Sequence, residues 1–409
     1  MITSIQLRNW KSFSDSRLYI DPLNVLIGSN ASGKSNVVDA LVFISRVAAG
    51  VGIYQAIAGD IALPQIRGGT DWVCLQGYSD FSIIITADLD DCEYLYELKV
   101  GVDKSAAYVK DESLVEKGTC ERRLFHTDVK NPDSVAIPVY CNTSKRGGNK
   151  KIELDRNQIV LYQIKLSSVF SKDATNTLNR FLSLLSGIFV LDPIPNHMRN
   201  YTKLSGELMT DGSNIAGVLA ALPEERCKDV ESVIQSYSTQ IPENDIIRIW
   251  TEKVGAFKTD AMLYCQERWS EKSTLTVDAR GMSDGTLRFL AIITAILTSE
   301  KSKLIVIEEV DNGLHPSRVG ILLKMLQDLG KRRGVDLIVT THNPALLDAL
   351  GASMIPFVTL AYRSAGGASK LKLLEDLKQL PKLLAFGNIG TLATGGNLER
   401  ALHSEEANV

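Results

Sequence analysis

The sequence has no apolar run long enough to cross a membrane and no excess of charge of either sign. No stretch of about 18 uncharged apolar residues occurs, and the opening MITSIQLRNWKSF has no apolar core of signal-peptide length. The 45 Lys and Arg residues nearly balance the 48 Asp and Glu residues, which leaves a formal net charge of −3. A field this weak gives no general attraction to nucleic acid or to an anionic membrane. We therefore expect a cytoplasmic protein without a membrane partner, in which any DNA contact is local.

Paired cysteines, internal repeats and sustained heptads are also missing. The six cysteines are scattered without a CxxC pair, which favours reduced thiols over a disulfide framework or a zinc site. We find no internal repeat and no run of three or four heptads, which excludes a long coiled-coil arm. With 409 residues, of which 44% are hydrophobic, the chain is long enough for two or three domains or for one large domain with insertions.

Three short apolar runs predict the centre of a parallel β-sheet. Residues 23–27, 304–307 and 337–339 lack the alternation of half-exposed strands, and each is followed by polar residues and then by a helical pattern. Two of these runs lie far from the third along the chain, so the two ends of the chain are expected to fold together. The predicted core is α/β with a central, mostly parallel sheet.

The long middle of the chain shows two different patterns. Residues 80–100 alternate around an Asp-rich turn, which predicts antiparallel strands, and 108–125 and 152–164 continue that pattern. From about 167 to 248 the pattern becomes helical, with prolines between the segments. The predicted division is 1–65 for the N-terminal part of the head, 66–165 for an antiparallel β subdomain, 166–270 for a helical insertion, and 271–409 for the C-terminal part of the head.

The segment 28–35, GSNASGKS, matches the phosphate-loop pattern GxxxxGK[ST] in the right context, after a buried strand and before a helix. The glycines let backbone N–H groups point at phosphate oxygens, Lys34 reaches the β- and γ-phosphates, and Ser35 ligates Mg²⁺. The pattern therefore predicts a nucleotide site with Mg²⁺. Its predicted binding residues are Gly28, Asn30, Ser32, Gly33, Lys34, Ser35 and Asn36.

Three further segments of the sequence complete the predicted site. Glu308 follows the run 304–307 and is expected to hold Mg²⁺, while Glu309, pointing the other way on an extended chain, is expected to act as general base. His342 follows the third run, where it is placed to sense a γ-phosphate, a packing role being the alternative. The segment GMSDGT precedes a predicted helix over 287–297 and supplies a second helix N-terminus for an anion, or an ordinary helix cap. Its binding residues are Ser283, Asp284 and Gly285.

The order of GSNASGKSN, MSDGT, IEEVDNGLHP and TTHNP resembles the ATP-binding-cassette (ABC) ATPases of the structural-maintenance-of-chromosomes (SMC), RecF and OLD group. The opening ITSIQLRNWKSFSD and the segment LDPIPNHMRNY are also similar to that group. The resemblance implies an ATPase in which two heads sandwich ATP and Mg²⁺, as a homodimer or a higher oligomer. Lys34, Ser35, Glu308, Glu309 and His342 would act in cis, and Ser283, Asp284 and Gly285 in trans. Glu308 stands where many cassettes have Asp, which predicts slow hydrolysis.

The resemblance leaves two positions open. The glutamine of the usual Q-loop has three candidates, Gln65, Gln158 and Gln163. Lys11 lies in the turn where relatives often carry a basic residue near the nucleotide, and it is an additional candidate.

The leading hypothesis is a dimerising ATPase whose nucleotide state gates a separate effector, a nuclease or toxin subunit, in bacterial antiphage defence. OLD nucleases carry a toprim module after the ATPase, whereas the residues after His342 contain no DxD cluster. The alternative is a RecF- or SMC-like DNA-binding ATPase in repair or chromosome maintenance. A transporter ATPase is disfavoured by the MSDGT signature and the long middle segment. The DNA-binding alternative would use Lys145, Arg146, Lys150 and Lys151, or Lys331, Arg332 and Arg333.

Overall fold

The computed structural model describes residues 1–118, 121–129, 131, 134–142, 149–165, 169–238, 246–270, 273–314 and 318–407. The strands in these ranges are β1 (Ile2–Trp10), β2 (Phe13–Tyr19), β3 (Leu23–Ile27), β4 (Asp80–Leu89), β5 (Cys92–Val102), β6 (Ala107–Lys117), β7 (Arg122–Thr127), β8 (Ala136–Asn142), β9 (Asn149–Asp155), β10 (Phe189–Leu191), β11 (Thr202–Lys203), β12 (Ile246–Val254), β13 (Asp260–Ser270), β14 (Ser273–Asp278), β15 (Leu304–Ile307), β16 (Asp336–Thr341), β17 (Val358–Arg363) and β18 (Ser369–Leu373).

The α-helices in the same ranges are α1 (Lys34–Ala48), α2 (Ile53–Ala58), α3 (Gly69–Trp72), α4 (Val160–Ile164), α5 (Lys172–Ser186), α6 (Ile215–Ala221), α7 (Glu224–Ser238), α8 (Asp284–Thr298), α9 (Val319–Arg333), α10 (Pro344–Ala349), α11 (Leu380–Leu384), α12 (Ile389–Thr394) and α13 (Asn397–Glu406). None of the helices that the structure describes combines the length and the hydrophobicity of a transmembrane span.

A parallel group of strands forms one side of a large mixed sheet. In the described residues this sheet has 14 strands in the order β10-β15-β16-β3-β17-β18-β2-β1-β4-β5-β6-β7-β8-β9. The strands from β10 to β17 pair in parallel, and every residue of β3, β15 and β16 is buried. Neighbouring side chains of β3 enter opposite hydrophobic clusters, Val25 on one face and Leu26 on the other. The predicted α/β core is confirmed.

The carboxyl ends of the parallel strands lie at one edge of the sheet. The phosphate loop follows β3, Glu308 follows β15, and His342 follows β16. Because ligands of open α/β sheets bind outside the carboxyl ends of the strands, a ligand-binding site is expected at this edge.

The antiparallel strands predicted for the first half of the middle segment extend the same sheet. Strands β4 to β9 form a meander, and β1 and β2 connect it to the parallel group through β18. The expected strand over 152–164 is only partly present, because 160–164 forms α4 instead. At the start of this helix the carboxylate of Glu112 accepts the N–H groups of Val160 at 2.6 Å and Leu161 at 2.8 Å, which stabilises the helix N-terminus.

Part of the segment expected to be helical forms a second sheet. Helices α5, α6 and α7 lie within 166–270, but β11, β12 and β13 are strands, and β14 pairs with β13. In β13, residues 261–263 are all buried, and from Leu263 to Gln266 buried and partly exposed residues alternate with the period of two that suits a strand. The helical expectation is therefore wrong for β12 and β13. The four-part division of the chain stays a prediction.

Candidate nucleotide site

The loop between β3 and α1 packs so closely on its neighbours that two of its positions require glycine. A Cβ atom at Gly28 would lie 2.2 Å from the carbonyl oxygen of Ala361, and one at Gly33 would lie 2.8 Å from Ser369 Oγ. Both glycines have positive φ, 153° and 113°, which other residues rarely adopt. The loop is thereby held against β17 and β18 with the N-terminus of α1 behind it. Loop N–H groups and the positive end of a helix together bind phosphate.

Two polar side chains of this loop fit a phosphate group. Lys34 Nζ donates to the carbonyl oxygens of Gly28 at 2.6 Å and Ser29 at 3.0 Å. Burial lowers the pKa of the Lys34 amine, while the charges of Glu309 and Glu399 act in the opposite direction. Ser32 Oγ is buried and has no hydrogen-bond partner among the described residues. A phosphate oxygen would satisfy both groups, as buried polar atoms normally require.

The remaining predicted residues of the loop lie at its surface or at its junction with β2. Asn30 and Ser35 are exposed. Asn36 is half-buried, and its Nδ2 donates to Ser12 Oγ at 2.7 Å in the turn before β2. Ser35 is therefore accessible to a metal ion, and Asn36 marks the side of the loop nearest the N-terminal strands.

Glu308 and Glu309 lie in the turn after β15 and not on an extended strand, which corrects the expected backbone. Glu309 has a φ of 45°, and its N–H donates to Thr340 Oγ1 at 2.9 Å. Its carboxylate accepts a hydrogen bond from Asn312 Nδ2 at 3.2 Å. The left-handed backbone, and not strand alternation, therefore sets the direction of the Glu309 side chain.

His342 comes close to Glu309. Its Nδ1 lies 3.9 Å from Glu309 Oε1, and both side chains are about half exposed, at 56% and 51%. The structure thus brings together predicted residues from separate parts of the chain, because β16, which leads to His342, pairs in parallel with β3, which leads into the loop that carries Lys34. Two titratable groups and a lysine at one helix N-terminus are suited to phosphoryl chemistry.

Arg67 is a component of the site that sequence reasoning missed. Its Nη2 donates to Glu308 Oε1 at 2.5 Å, and its Nη1 lies 3.8 Å from Asp39 Oδ1 on α1. Burial raises the pKa of the Glu308 carboxyl, and the Arg67 charge counteracts that rise. The local sequence around Arg67, PQIRGG, matches no motif. Only the fold brings Arg67 beside Glu308.

The additional candidate Lys11 belongs to the same network but is already paired. It forms a buried ion pair with Asp39, and its Nζ donates to the carbonyl oxygen of Arg67 at 2.7 Å. Burial lowers the pKa of this lysine. Lys11 therefore supports the backbone at Arg67, and its ammonium group has no need of a phosphate partner.

The signature turn is braced at the N-terminus of α8. Ser283 Oγ accepts the N–H of Thr286 at 3.1 Å, and Asp284 accepts from Arg199 at 2.5 Å. Arg199 also donates to the carbonyl oxygens of residues 279, 280 and 282. A Cβ atom at Gly285 would lie 2.6 Å from the carbonyl oxygen of Gly313, so the turn packs beside the loop that follows Glu309. The capping expected as the alternative is present, and a role in anion binding stays a prediction.

The three glutamine candidates lie in different places. Gln158 Nε2 donates to the Gly50 carbonyl at 2.6 Å, and Gln163 Nε2 donates to that of Gln158 at 2.8 Å. Gly50 follows the far end of α1, whose 15 residues span about 22 Å. Gln158 and Gln163 are therefore remote from the phosphate loop. Gln65 lies two positions before Arg67, in the segment that reaches Glu308.

Comparisons with known proteins bear on the family and on the fold. The family model described as "AAA domain, putative AbiEii toxin, Type IV TA system" matches residues 23–348. The chain is similar to an "ATP/GTP phosphatase" of Helicobacter pylori (strain ATCC 700392 / 26695), with 21% identity over 368 residues that cover 86% of this chain and 87% of the relative.

Two solved structures are also similar. The SMC head bound to the C-winged helix domain of ScpA matches with a TM-score of 0.52 and 13% identity, covering 91% of this chain and 96% of that one. The SMC head domain from Thermotoga maritima gives a TM-score of 0.42 and 13% identity, covering 91% and 98%. The first of these likenesses supports the head fold.

Proposed function

Because the chain belongs to the family described as "AAA domain, putative AbiEii toxin, Type IV TA system" and is an SMC/RecF-like ABC-type ATPase, we propose that two copies close around ATP and that this closure gates a separate effector. The observation that carries the proposal is that His342 Nδ1 lies 3.9 Å from Glu309 Oε1 at the edge of the sheet where β3, paired with β16, leads into the loop that carries Lys34. This arrangement supports cleavage of a γ-phosphate at this edge of the sheet.

Residues 28–36 would bind the triphosphate, with loop N–H groups and Lys34 on its oxygens. Ser35 and Glu308 would hold Mg²⁺, which neutralises charge on the β- and γ-phosphates when it is bound. Glu308 has to leave Arg67 or share its carboxylate to do so, since Arg67 now donates to it. The freed guanidinium then lies beside the phosphates as a second positive charge.

Glu309 would act as the general base of hydrolysis. Its carboxylate orients a water and accepts a proton from it as the water oxygen attacks the γ-phosphorus, and the bond to the β-phosphate oxygen breaks, giving ADP and phosphate. His342, 3.9 Å from that carboxylate, would hydrogen-bond the γ-phosphate and hold Glu309 in place. Both side chains are about half exposed, so a partner subunit is needed to exclude bulk water.

Ser283, Asp284 and Gly285 are proposed to supply that partner surface. They lie at a second helix N-terminus, whose side-chain bonds go to Thr286 and Arg199 and not to the phosphate loop. A triphosphate bound at the N-terminus of α1 does not need a second terminus from its own chain. In a head dimer this terminus would face the γ-phosphate of the other copy.

The effector remains a proposal that rests on two observations. The family description names a putative toxin, and an SMC head of similar fold is bound to a domain of another protein, ScpA. We propose a nuclease or toxin subunit acting in antiphage defence. Co-expression with the genomic neighbours should yield a complex that survives gel filtration, and its assembly should depend on ATP. Failure of every neighbour to associate would remove the effector from the proposal.

The ATPase itself is tested with Glu309→Gln. This variant should bind ATP, lose turnover by at least about 100-fold, and form a stable dimer when ATP is added. Light scattering with and without ATP measures the dimer, and phosphate release measures turnover. A variant that stays monomeric with ATP and hydrolyses ATP at the parent rate would contradict both the role of Glu309 as general base and the closure of two heads around ATP.

DNA binding is the second candidate function. Lys150 and Lys151 are exposed on β9, the edge strand of the large sheet, and Lys331 lies in the last turn of α9. Arg332 and Arg333 lie in the same last turn of α9, and the remaining predicted contacts, Lys145 and Arg146, lie outside the described residues. ATP-dependent binding of duplex DNA that strengthens as salt falls would favour this candidate.

A further inference from the structure

The order of the strands sets the direction of a bound nucleoside triphosphate, and this inference rests on the function proposed above. Strand β3, which leads into the phosphate loop, lies between β16 and β17. The groups proposed to act on the γ-phosphate follow β15 and β16, which lie on one side of β3. The nucleoside therefore extends to the other side, over β17, β18, β2 and β1.

A cleft opens at that end of the sheet. Its volume is about 860 Å³, within the range of small-molecule sites. Its walls come from the turn between β1 and β2, the turn between β17 and β18, Asn36 and the α3 segment, and Arg67 lines the end of the cleft that reaches Glu308. Arg363 Nε donates to the Ala31 carbonyl oxygen of the phosphate loop at 3.2 Å. The cleft is thus continuous with the end of the loop that is marked by Asn36.

Trp72 presents its indole ring at the wall of this cleft. Its side chain is 71% exposed. The start of α3 packs closely, because Gly68 has a φ of 82° and a Cβ atom at that position would lie 2.7 Å from Trp72 Cβ. The aromatic side chains that flank the β1–β2 turn, Trp10 and Phe13, are buried and offer no free ring face. An exposed indole beside a phosphate site is well suited to stack on a flat heterocycle.

We propose that the Trp72 indole stacks on the purine base of the nucleotide whose phosphates bind to residues 28–36. Trp72 then contributes to recognition of the nucleoside and not of the triphosphate. Stacking uses the ring faces, which adenine and guanine share, so Trp72 distinguishes a purine nucleotide from a bare triphosphate.

The test compares two probes, a non-hydrolysable ATP analogue and inorganic tripolyphosphate, titrated calorimetrically with Mg²⁺ into the full chain. In Trp72→Ala the Kd of the ATP analogue should rise roughly tenfold, while the Kd of tripolyphosphate stays at the parent value. Trp72→Phe, which keeps a ring, should restore most of the affinity. Trp269 is the matched control: it is 75% exposed and lies on β13 of the second sheet, so Trp269→Ala should bind both probes as the parent does.

Each other outcome overturns the inference. Unchanged binding of the ATP analogue by Trp72→Ala excludes stacking, and so does an equal loss of both probes, which would show damage to the phosphate loop. A loss confined to Tyr78→Ala would assign the base to Tyr78, another exposed aromatic residue of the cleft. If the parent binds neither probe, the proposed ATPase site fails and the base site fails with it. Normal tripolyphosphate binding with a failed Trp72 test leaves the ATPase proposal intact.

Discussion

Arg67 and Glu308 are 241 positions apart and form an ion pair of 2.5 Å at the edge of the sheet. The same guanidinium lies 3.8 Å from Asp39 on the helix that follows the phosphate loop. One side chain therefore connects the proposed metal carboxylate to the phosphate-binding helix. Burial raises the pKa of Glu308 and Arg67 opposes that rise, so the ion pair favours the ionised form of the carboxylate.

Replacing Arg67 should change how ATP hydrolysis depends on pH. In Arg67→Gln the pKa of Glu308 rises further, so the ionised form that binds Mg²⁺ appears at higher pH. We expect the acid limb of the kcat profile to move to higher pH, so that activity on that limb falls below that of the parent. Turnover measured from pH 5.5 to 9 at several Mg²⁺ concentrations tests this.

A surface ion pair provides the control. Arg180 pairs with Asp90, and both side chains are more than half exposed, at 53% and 69%. Arg180→Gln should leave the profile unchanged, as expected for an exposed pair. A profile for Arg67→Gln that coincides with the parent profile would show that Arg67 does not govern the charge of Glu308.

The sequence could predict features carried by contiguous residues. The buried runs that became β3, β15 and β16, and the helix after the phosphate loop, follow from local hydrophobic pattern and a dense motif. The pairing of Arg67 with Glu308 does not follow, because it depends on which strands become neighbours. The positive φ of Glu309 was also out of reach, since glutamate normally avoids that conformation. Strands β12 and β13 do not follow from the sequence because the burial of β12 does not alternate with a period of two, so its local pattern does not separate strand from helix.

The phosphate loop should tolerate no side chain at Gly28. In Gly28→Ala the new Cβ atom would lie 2.2 Å from the carbonyl oxygen of Ala361, which is closer than two such atoms can approach. We expect loss of detectable nucleotide binding and a fall of about 1–3 kcal/mol in the free energy of unfolding. Gly255→Ala is the matched control, because Gly255 also has positive φ, 84°, but has no atom within 4 Å of the added Cβ and lies between β12 and β13 of the second sheet. Equal nucleotide binding by the two variants would contradict the role of this contact.

The buried Glu112 should make stability fall as pH rises. Burial raises the pKa of Glu112 to about 7, although two backbone N–H groups and the Tyr96 hydroxyl donate to it. The folded state therefore holds this proton more tightly than the unfolded state, whose pKa is 4.5. Its stabilising contribution is complete below pH 4.5 and is lost as pH rises to about 7, a change of roughly 3 kcal/mol.

Chemical denaturation at pH 5 and pH 7.5 measures this dependence. In Glu112→Gln no proton is exchanged at this position, so the fall in unfolding free energy should become smaller. Glu116→Gln is the control on the same strand, since Glu116 also accepts from a tyrosine, Tyr94, but is partly exposed. A parent and a Glu112→Gln variant with the same pH dependence would show that Glu112 does not titrate in this range.

Mixing two inactive variants should restore activity if the signature acts across the dimer. Lys34→Ala removes the phosphate-loop charge, and Ser283→Arg blocks the signature turn, so neither homodimer should hydrolyse ATP. A mixed dimer pairs an intact phosphate loop on one chain with an intact signature on the other, and so has one complete site. With random assortment, half of the dimers are mixed, and the equimolar mixture should regain about a quarter of parent activity.

The two variants are mixed without denaturant, left to exchange subunits, and assayed for phosphate release. The blank is a preparation of the variant that carries both substitutions. A mixture as inactive as its components, although it forms mixed dimers, would place Ser283 on its own chain's nucleotide or outside the reaction.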